Sequence, residues 1–209
     1  MHKFGLKSTE EILKNQDQII CDFHDLFFRL TKFHTSWLGV EMLKPPTDIW
    51  KFQELIWLLK PDYFIEVGTH FGGTAYFIAC LFDIIGKGKV ITIDIQCSLK
   101  VEHPRIHQII GNSVDETVVN QVREIVKDST AIVDIDSCHA GGHTLQEMQI
   151  YSEFVSPVGS YLISEDTSNT DTWRSVEEFL KVNDSFVVDK EQEKFLLTFN
   201  WEGFLRRIK

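Results

Sequence analysis

Apolar positions along this chain follow two rhythms, one helical and one strand-like. Ile12, Ile19, Ile20, Phe23, Leu26, Phe27 and Leu30 recur at helical spacing behind the capping-box pattern Ser8-Thr-Glu-Glu11, so a helix is predicted to start there. Pro45-Pro46 interrupts the pattern, and Thr47 is placed to cap a second helix through Leu59. Short apolar runs then alternate with longer helical ones. Strands are expected at Tyr63–Val67, Lys89–Ile93, Ile106–Ile110, Thr130–Ile135 and Ser160–Ser164. Helices are expected at Thr74–Ile85, from a Ser113-Val-Asp-Glu116 cap to Val126, at His143–Phe154 and at Thr172–Val182. The tail reads as an antiparallel hairpin, Ser185–Asp189 and Phe195–Phe199, joined by the charged turn KEQEK. Strands alternating with helices of this length predict an α/β fold with a doubly wound, mostly parallel sheet that ends in the antiparallel hairpin.

In such sheets ligands bind beyond the carboxyl ends of the strands. Here those ends carry Glu66, Asp94, Asn112 with Ser113, Asp136, and Glu165 with Asp166. Acids at nearly every strand end are harder to dismiss than scattered surface carboxylates. The turn after the first strand, Gly68-Thr-His-Phe-Gly72-Gly73, lacks the GxGxxG spacing that brings backbone amides to a pyrophosphate. Glu66, two residues before Gly68, would also repel phosphate. A cofactor with a cationic end fits better: S-adenosylmethionine carries an ammonium and a sulfonium and no phosphate. Glu66, Gly68, Thr69, His70, Gly72, Gly73, Thr74 and Asp136 are the expected contacts around the turn. Asp94, 21 residues past Gly73, is expected to take both ribose hydroxyls, with Asn112 and Ser113 bordering the adenine. The bland alternative is a tight turn with ordinary capping acids.

Composition narrows the field. A chain of 209 residues, 43% hydrophobic, can bury one full core, so a single domain over 1–209 is expected, with 1–46 as an N-terminal helical extension. A net charge of −10 argues against a nucleic-acid surface. Cys21, Cys80, Cys97 and Cys138 are far apart without a CxxC pair and read as reduced thiols. No apolar leader opens the chain and no run reaches membrane-spanning length, so a cytoplasmic protein without membrane partners is expected. The N-terminal helix could cap the pocket or join two copies into a homo-oligomer.

Taken together, WLGVEMLKPPTDIWKFQELIWLLKPD, IEVGTHFGGTA, VITIDI, HPRIHQIIGNS, DSCH, SPVGSYLISEDT and EKFLLTFNWEGFLRR resemble the cephalosporin hydroxylase family, which includes rhamnosyl O-methyltransferases. The resemblance runs from about Trp37 to Arg207. It implies a class I, Rossmann-like methyltransferase fold, S-adenosylmethionine as methyl donor, and O-methylation of a small polar acceptor with hydroxyl groups, such as a sugar, a glycosylated molecule or a secondary-metabolite scaffold. Nothing in the sequence offers iron or flavin ligation, so the hydroxylase label is not read literally.

The resemblance also implies Mg²⁺, held in that family by the second aspartate of an Asp-Ser-Asp-His segment and a Glu-Asp pair. This chain reads Asp136-Ser137-Cys138-His139, then Glu165-Asp166, so a thiol stands where a ligand is expected. Mg²⁺ demands hard oxygen donors. Asp136 could supply the missing oxygen beside Glu165 and Asp166, a softer ion could serve, or Glu165 and Asp166 could bind acceptor hydroxyls without metal. His139 keeps its place in the motif and can act either as general base or as a hydrogen-bond partner to a ligand. His143 reads as a helix-start residue, and His70 as lining the methionine end. Cys138 has no evident cationic neighbour to activate it as a nucleophile. Of the five tryptophans, Trp201 is the candidate for exposure; Gln53 and Glu54 match the family's helix before the first strand. Two other functions stay open: a binding module that retains the cofactor without catalysis, favoured by Cys138, and a nicotinamide oxidoreductase, disfavoured by the turn and Glu66.

Overall fold

The structure, a computed structural model, describes residues 14–31 and 35–209. Helix α1 spans Gln16–Thr31; the expected capping box at Ser8–Glu11 lies outside the described residues. A short hairpin follows, β1 (Ser36–Trp37) and β2 (Val40–Glu41), so the segment before residue 46 is not helical throughout. Its two-residue strands leave no periodicity to read.

Helix α2 (Pro46–Leu59) has Pro45 at its N-cap and Pro46 in its first turn, where a missing N–H costs nothing. Thr47 therefore does not cap it; its hydroxyl donates to the Leu197 carbonyl. Then come β3 (Tyr63–Val67), α3 (Gly73–Ile85), β4 (Lys89–Asp94), β5 (Ile106–Ile110), α4 (Glu116–Val126), β6 (Ala131–Ile135), α5 (Gly141–Tyr151) with a 3₁₀ turn to Phe154, β7 (Tyr161–Ser164), α6 (Thr170–Val182), β8 (Phe186–Val188) and β9 (Phe204–Arg207). Ser113 is not the cap of α4: Asp115 stands at that position and makes no side-chain cap bond. The expected helices and parallel strands otherwise match within three residues.

The strands form one seven-stranded sheet in the order β5-β4-β3-β6-β7-β9-β8. The first five are parallel, and β9 enters antiparallel between β7 and β8. The chain reverses direction along the sheet at the β3–β6 junction, where an α/β crevice is expected. One expectation fails: Phe195–Phe199 is not a strand, and the partner of β8 is Phe204–Arg207. Leu197 and Phe199 are buried instead by packing, Phe199 lying 4.9 Å from the Phe28 ring of α1. The Phe199 amide goes to Asp48 at 3.1 Å rather than to a ladder.

The sheet is covered on both faces. Ile65, Val67, Ile91, Ile93, Val133 and Ile135 pack against α4, α5 and α6. Phe64, Val90, Ile132, Ile163 and Phe204 face α2 and α3 through Phe52, Ile56, Ile78 and Phe82. Side chains alternate along a strand, so the parity of Phe64, Val90, Ile132 and Ile163 also carries Glu66, Thr92, Asp94, Asp134, Asp136 and Glu165. The register sets Thr92, Glu66 and Asp134 side by side on β4, β3 and β6. One face of the sheet thus turns from apolar to acidic as it nears the strand ends. No helix among the described residues is long and apolar enough to cross a membrane.

Candidate active site

A cleft of about 670 Å³ opens over the acidic edge, within the range of small-molecule sites. Of the residues singled out from the sequence, Glu66, Gly68, Thr69, His70, Gly73, Thr74, Asp94, Asn112, Ser113, Asp136, His139 and Asp166 line it; Gly72 and Glu165 do not. Gly72 serves the turn from beneath, at φ +85° as the N-cap of α3, where a Cβ would lie 2.2 Å from the Leu99 side chain. Gly68, at φ +108°, has no room for a Cβ, which would fall 1.9 Å from the Asp136 carbonyl oxygen. Gly68 therefore lets the turn after β3 close against the backbone that follows β6.

Asp94 ties β4 to this turn. Its Oδ2 accepts from the amides of Thr69 (3.0 Å) and His70 (3.2 Å), and its Oδ1 from Gln96 (3.0 Å). A carboxylate offers about four acceptor positions, so one remains for a ligand hydroxyl. The Ser113 hydroxyl is already engaged at the cleft wall: it donates to Glu147, which also receives Ser137 Oγ at 2.6 Å and lies 3.1 Å from His143 Nε2. Glu147 is fully buried and joins the loops after β5 and β6 from below. Its i, i+4 spacing to His143 was the only trace of this network in the sequence.

At the other end the sequence reading missed the decisive residue. Lys44, on the chain between β2 and α2, enters with its side chain 2% exposed. Its Nζ lies 2.6 Å from Glu165 Oε2, 2.8 Å from Asp136 Oδ2 and 3.7 Å from Asp134 Oδ2. Burial works against the ammonium, but Asp136, Glu165 and Asp134 outweigh it and hold its pKa well above the usual lysine value. One cation cannot neutralise all the acids around it. Burial pushes the Glu66 carboxyl up to about 8 against the Thr92 hydrogen bond and Lys44, and Asp134 up to about 7. Asp136 goes the other way: Lys44 and His139 overcome its burial and keep it below the ordinary aspartate range.

His139 Nε2 lies 3.2 Å from Asp166 Oδ2 and 3.8 Å from Asp136 Oδ1. Asp136 raises the imidazole pKa, burial opposes this, and Asp166 adds to it. The three together are the one group among the described residues whose ligand atoms, all within 4.8 Å, could hold a metal ion. Of the three ligands expected from the sequence, Asp136 and Asp166 belong to this group, whereas Glu165 is paired with Lys44. An oxygen–nitrogen–oxygen set suits Mn²⁺ or Zn²⁺ better than Mg²⁺. Cys138 is exposed beside this group, and all four cysteines are free thiols. Trp201 is half-buried, whereas Trp50 and Trp57 are the exposed tryptophans at 59% each.

A family model described as Rhamnosyl O-methyltransferase/CmcI matches residues 30–208. The rhamnosyl O-methyltransferase of Mycobacterium leprae (strain TN) is 27% identical over 218 residues, covering 94% of this chain and 93% of that protein. The rhamnosyl O-methyltransferase of Mycobacterium tuberculosis (strain ATCC 25618 / H37Rv) is 28% identical over 162 residues, 73% of this chain and 65% of that one. A solved structure of CmcI (cmcI-D160 Mg-SAM) superposes with a TM-score of 0.69 at 22% identity, covering 84% of this chain and 77% of the other. At that identity the superposition establishes a common fold.

Proposed function

Because the chain belongs to the rhamnosyl O-methyltransferase/CmcI family, we propose that its cleft passes a methyl group from S-adenosylmethionine to a hydroxyl of a sugar or a sugar-bearing natural-product scaffold. The activity class is that of the family, S-adenosylmethionine-dependent O-methylation. The observation that carries the cofactor assignment is charge: the cleft is lined by Glu66, Asp94, Asp136 and Asp166, and Lys44, the only lysine or arginine among the described residues that line it, is already bound to carboxylates. A pyrophosphate finds no free cation there, and an ammonium finds Glu66.

Bound S-adenosylmethionine supplies an electrophilic methyl group for in-line displacement by an acceptor oxygen. Glu66 and the Gly68–Gly73 turn receive its amino-acid end, Asp94 accepts one ribose hydroxyl, and Asn112 borders the base. Asp166 and His139 face the acceptor. With Nε2–H given to Asp166, the neutral imidazole keeps a lone pair on Nδ1 for the acceptor's proton. Asp136, held ionised by Lys44, stabilises the imidazolium that results. A divalent ion, where used, would be held by Asp136, His139 and Asp166, and would supply Lewis-acid polarisation of the acceptor hydroxyl.

The test is calorimetric titration with S-adenosylhomocysteine, followed by mass spectrometry of methyl rhamnoside incubated with S-adenosylmethionine. Saturable binding and a product heavier by one methylene support the assignment. Binding of NADH with no response to S-adenosylhomocysteine would overturn it.

A further inference from the structure

A second cavity, of about 410 Å³, lies between α1 and the turn that carries Trp201. It is lined by Asp17, Ile20, Cys21, His24 and Asp25 from one face of α1, and by Ser168 and Trp201. We propose that this cavity is a saccharide subsite, holding the ring next to the one that is methylated; the proposal rests on the methyltransferase reading above.

Its position points that way. Ser168 stands two residues beyond Asp166, which lines the main cleft, and Asn200 Oδ1 accepts from the Asp166 amide at 3.2 Å, immediately before Trp201. The loop after β7 therefore walls both cavities, and Asn200 ties the Trp201 turn to it. The aromatic platform is fixed in advance: the Trp201 carbonyl accepts from Thr167 Oγ1 at 2.5 Å, and the next residue, Glu202, is held by Trp173 Nε1 (3.0 Å) and Lys190 Nζ (2.7 Å). Such a platform loses little entropy on binding. The His24 ring lies 5.9 Å from Trp201, and its Nε2 is 3.3 Å from the Leu196 carbonyl, which requires an N–H there and leaves Nδ1 as an acceptor.

The chemistry of the lining selects the ligand. Asp17 and Asp25 are exposed and form no ion pair among the described residues. Eight residues apart on a helix, they are separated by about 12 Å of rise, too far to close on one small cation but enough to flank a sugar ring. Carboxylates accept strong hydrogen bonds from hydroxyls, Ser168 both donates and accepts, and the face of Trp201 covers the apolar C–H side of a pyranose. No lysine or arginine among the described residues lines the cavity, so its charge disfavours a phosphorylated or nucleotide-linked sugar there. The ring held there is then uncharged, and a glycosyl-transfer reaction must join it to its neighbour before this methylation.

The experiment uses the full chain saturated with S-adenosylhomocysteine and titrated with methyl rhamnoside or with the methyl glycoside of a rhamnose-containing disaccharide. The disaccharide should bind at least about tenfold more tightly. Asp25→Asn, on the exposed face of α1, and Trp201→Ala should each remove about fivefold or more of that gain while leaving the affinities for monosaccharide and S-adenosylhomocysteine unchanged. Unchanged thermal unfolding of Asp25→Asn keeps the test decisive if Trp201→Ala fails to fold. Equal affinities for the two glycosides, indifference of the disaccharide to Asp25→Asn, or competition by tetramethylammonium at this cavity would each overturn the subsite. Failure of S-adenosylhomocysteine to bind would instead overturn the methyltransferase reading, and saccharide affinity measured without it would still report on the cavity.

Discussion

Cofactor binding should expel a proton from Glu66. Without a ligand this carboxyl is buried in the cleft wall, receives the Thr92 hydroxyl, and is pushed by burial up to about 8. At pH 7 a group of that pKa holds about 0.9 proton. An ammonium arriving within hydrogen-bonding range lowers a carboxyl pKa by roughly 1 to 3 units, which leaves between about 0.5 and 0.01 proton on Glu66. Binding should therefore release about 0.4 to 0.9 proton at pH 7, and about 0.1 at pH 9, where Glu66 is already mostly ionised. Calorimetry in buffers of different ionisation enthalpy reads this number as the slope of observed enthalpy against buffer enthalpy. Glu66→Gln cannot release the proton and loses a charge-assisted hydrogen bond, weakening binding by about 2 kcal/mol, or roughly 30-fold. The difference between wild type and Glu66→Gln isolates this residue from any titration of the cofactor itself. A zero difference at pH 7 would refute the placement of a cationic group on Glu66, and with it the electrostatic basis of the cofactor assignment.

Asp94→Ala removes the acceptor of the Thr69, His70 and Gln96 amides as well as the ribose contact, so affinity for S-adenosylhomocysteine should fall by about 100-fold or more. Unaltered calorimetric affinity would sink that assignment. His139→Gln should spare cofactor affinity and lower turnover by about 10² to 10⁴; because the imidazole pKa is raised, wild-type activity should climb with pH until above the ordinary histidine value, and this limb should vanish in the variant. For stability, Glu66, Asp134 and Asp48 all have folded pKa values above their unfolded ones, the last at about 6. The folded state then holds protons that the unfolded chain gives up, and unfolding free energy should fall as pH rises from about 4 to 8, as denaturant titrations will report. Lys44→Met leaves these acids without their cation and should steepen that fall, with a loss of about 3 kcal/mol or more at pH 8 and less at pH 5.

How far the sequence foretold this site depends on which physical signal fixed each residue. The acids of β3, β4, β6 and the β7 end were legible because a strand has period two. Once Phe64, Ile132 and Ile163 are placed on one face, Glu66, Asp134, Asp136 and Glu165 must share it. The glycine turn was legible because only glycine tolerates the close approach of Gly68 to the Asp136 carbonyl. Lys44 left no such mark. It lies in an irregular segment between a minimal hairpin and a proline, and its partners are 90 or more residues away in sequence. Its arrival was nonetheless required: carboxylates this deeply buried must be protonated or paired. Phe195–Phe199 misled for the opposite reason, since Leu197 and Phe199 are inside through packing on α1 and α2 without belonging to the sheet. The strand that does pair begins after Gly203, where a Cβ would meet the Ser164 carbonyl at 2.2 Å. The same logic applies to Glu165: motif spacing alone could not show that this acid is paired with a buried lysine, Lys44, at 2.6 Å.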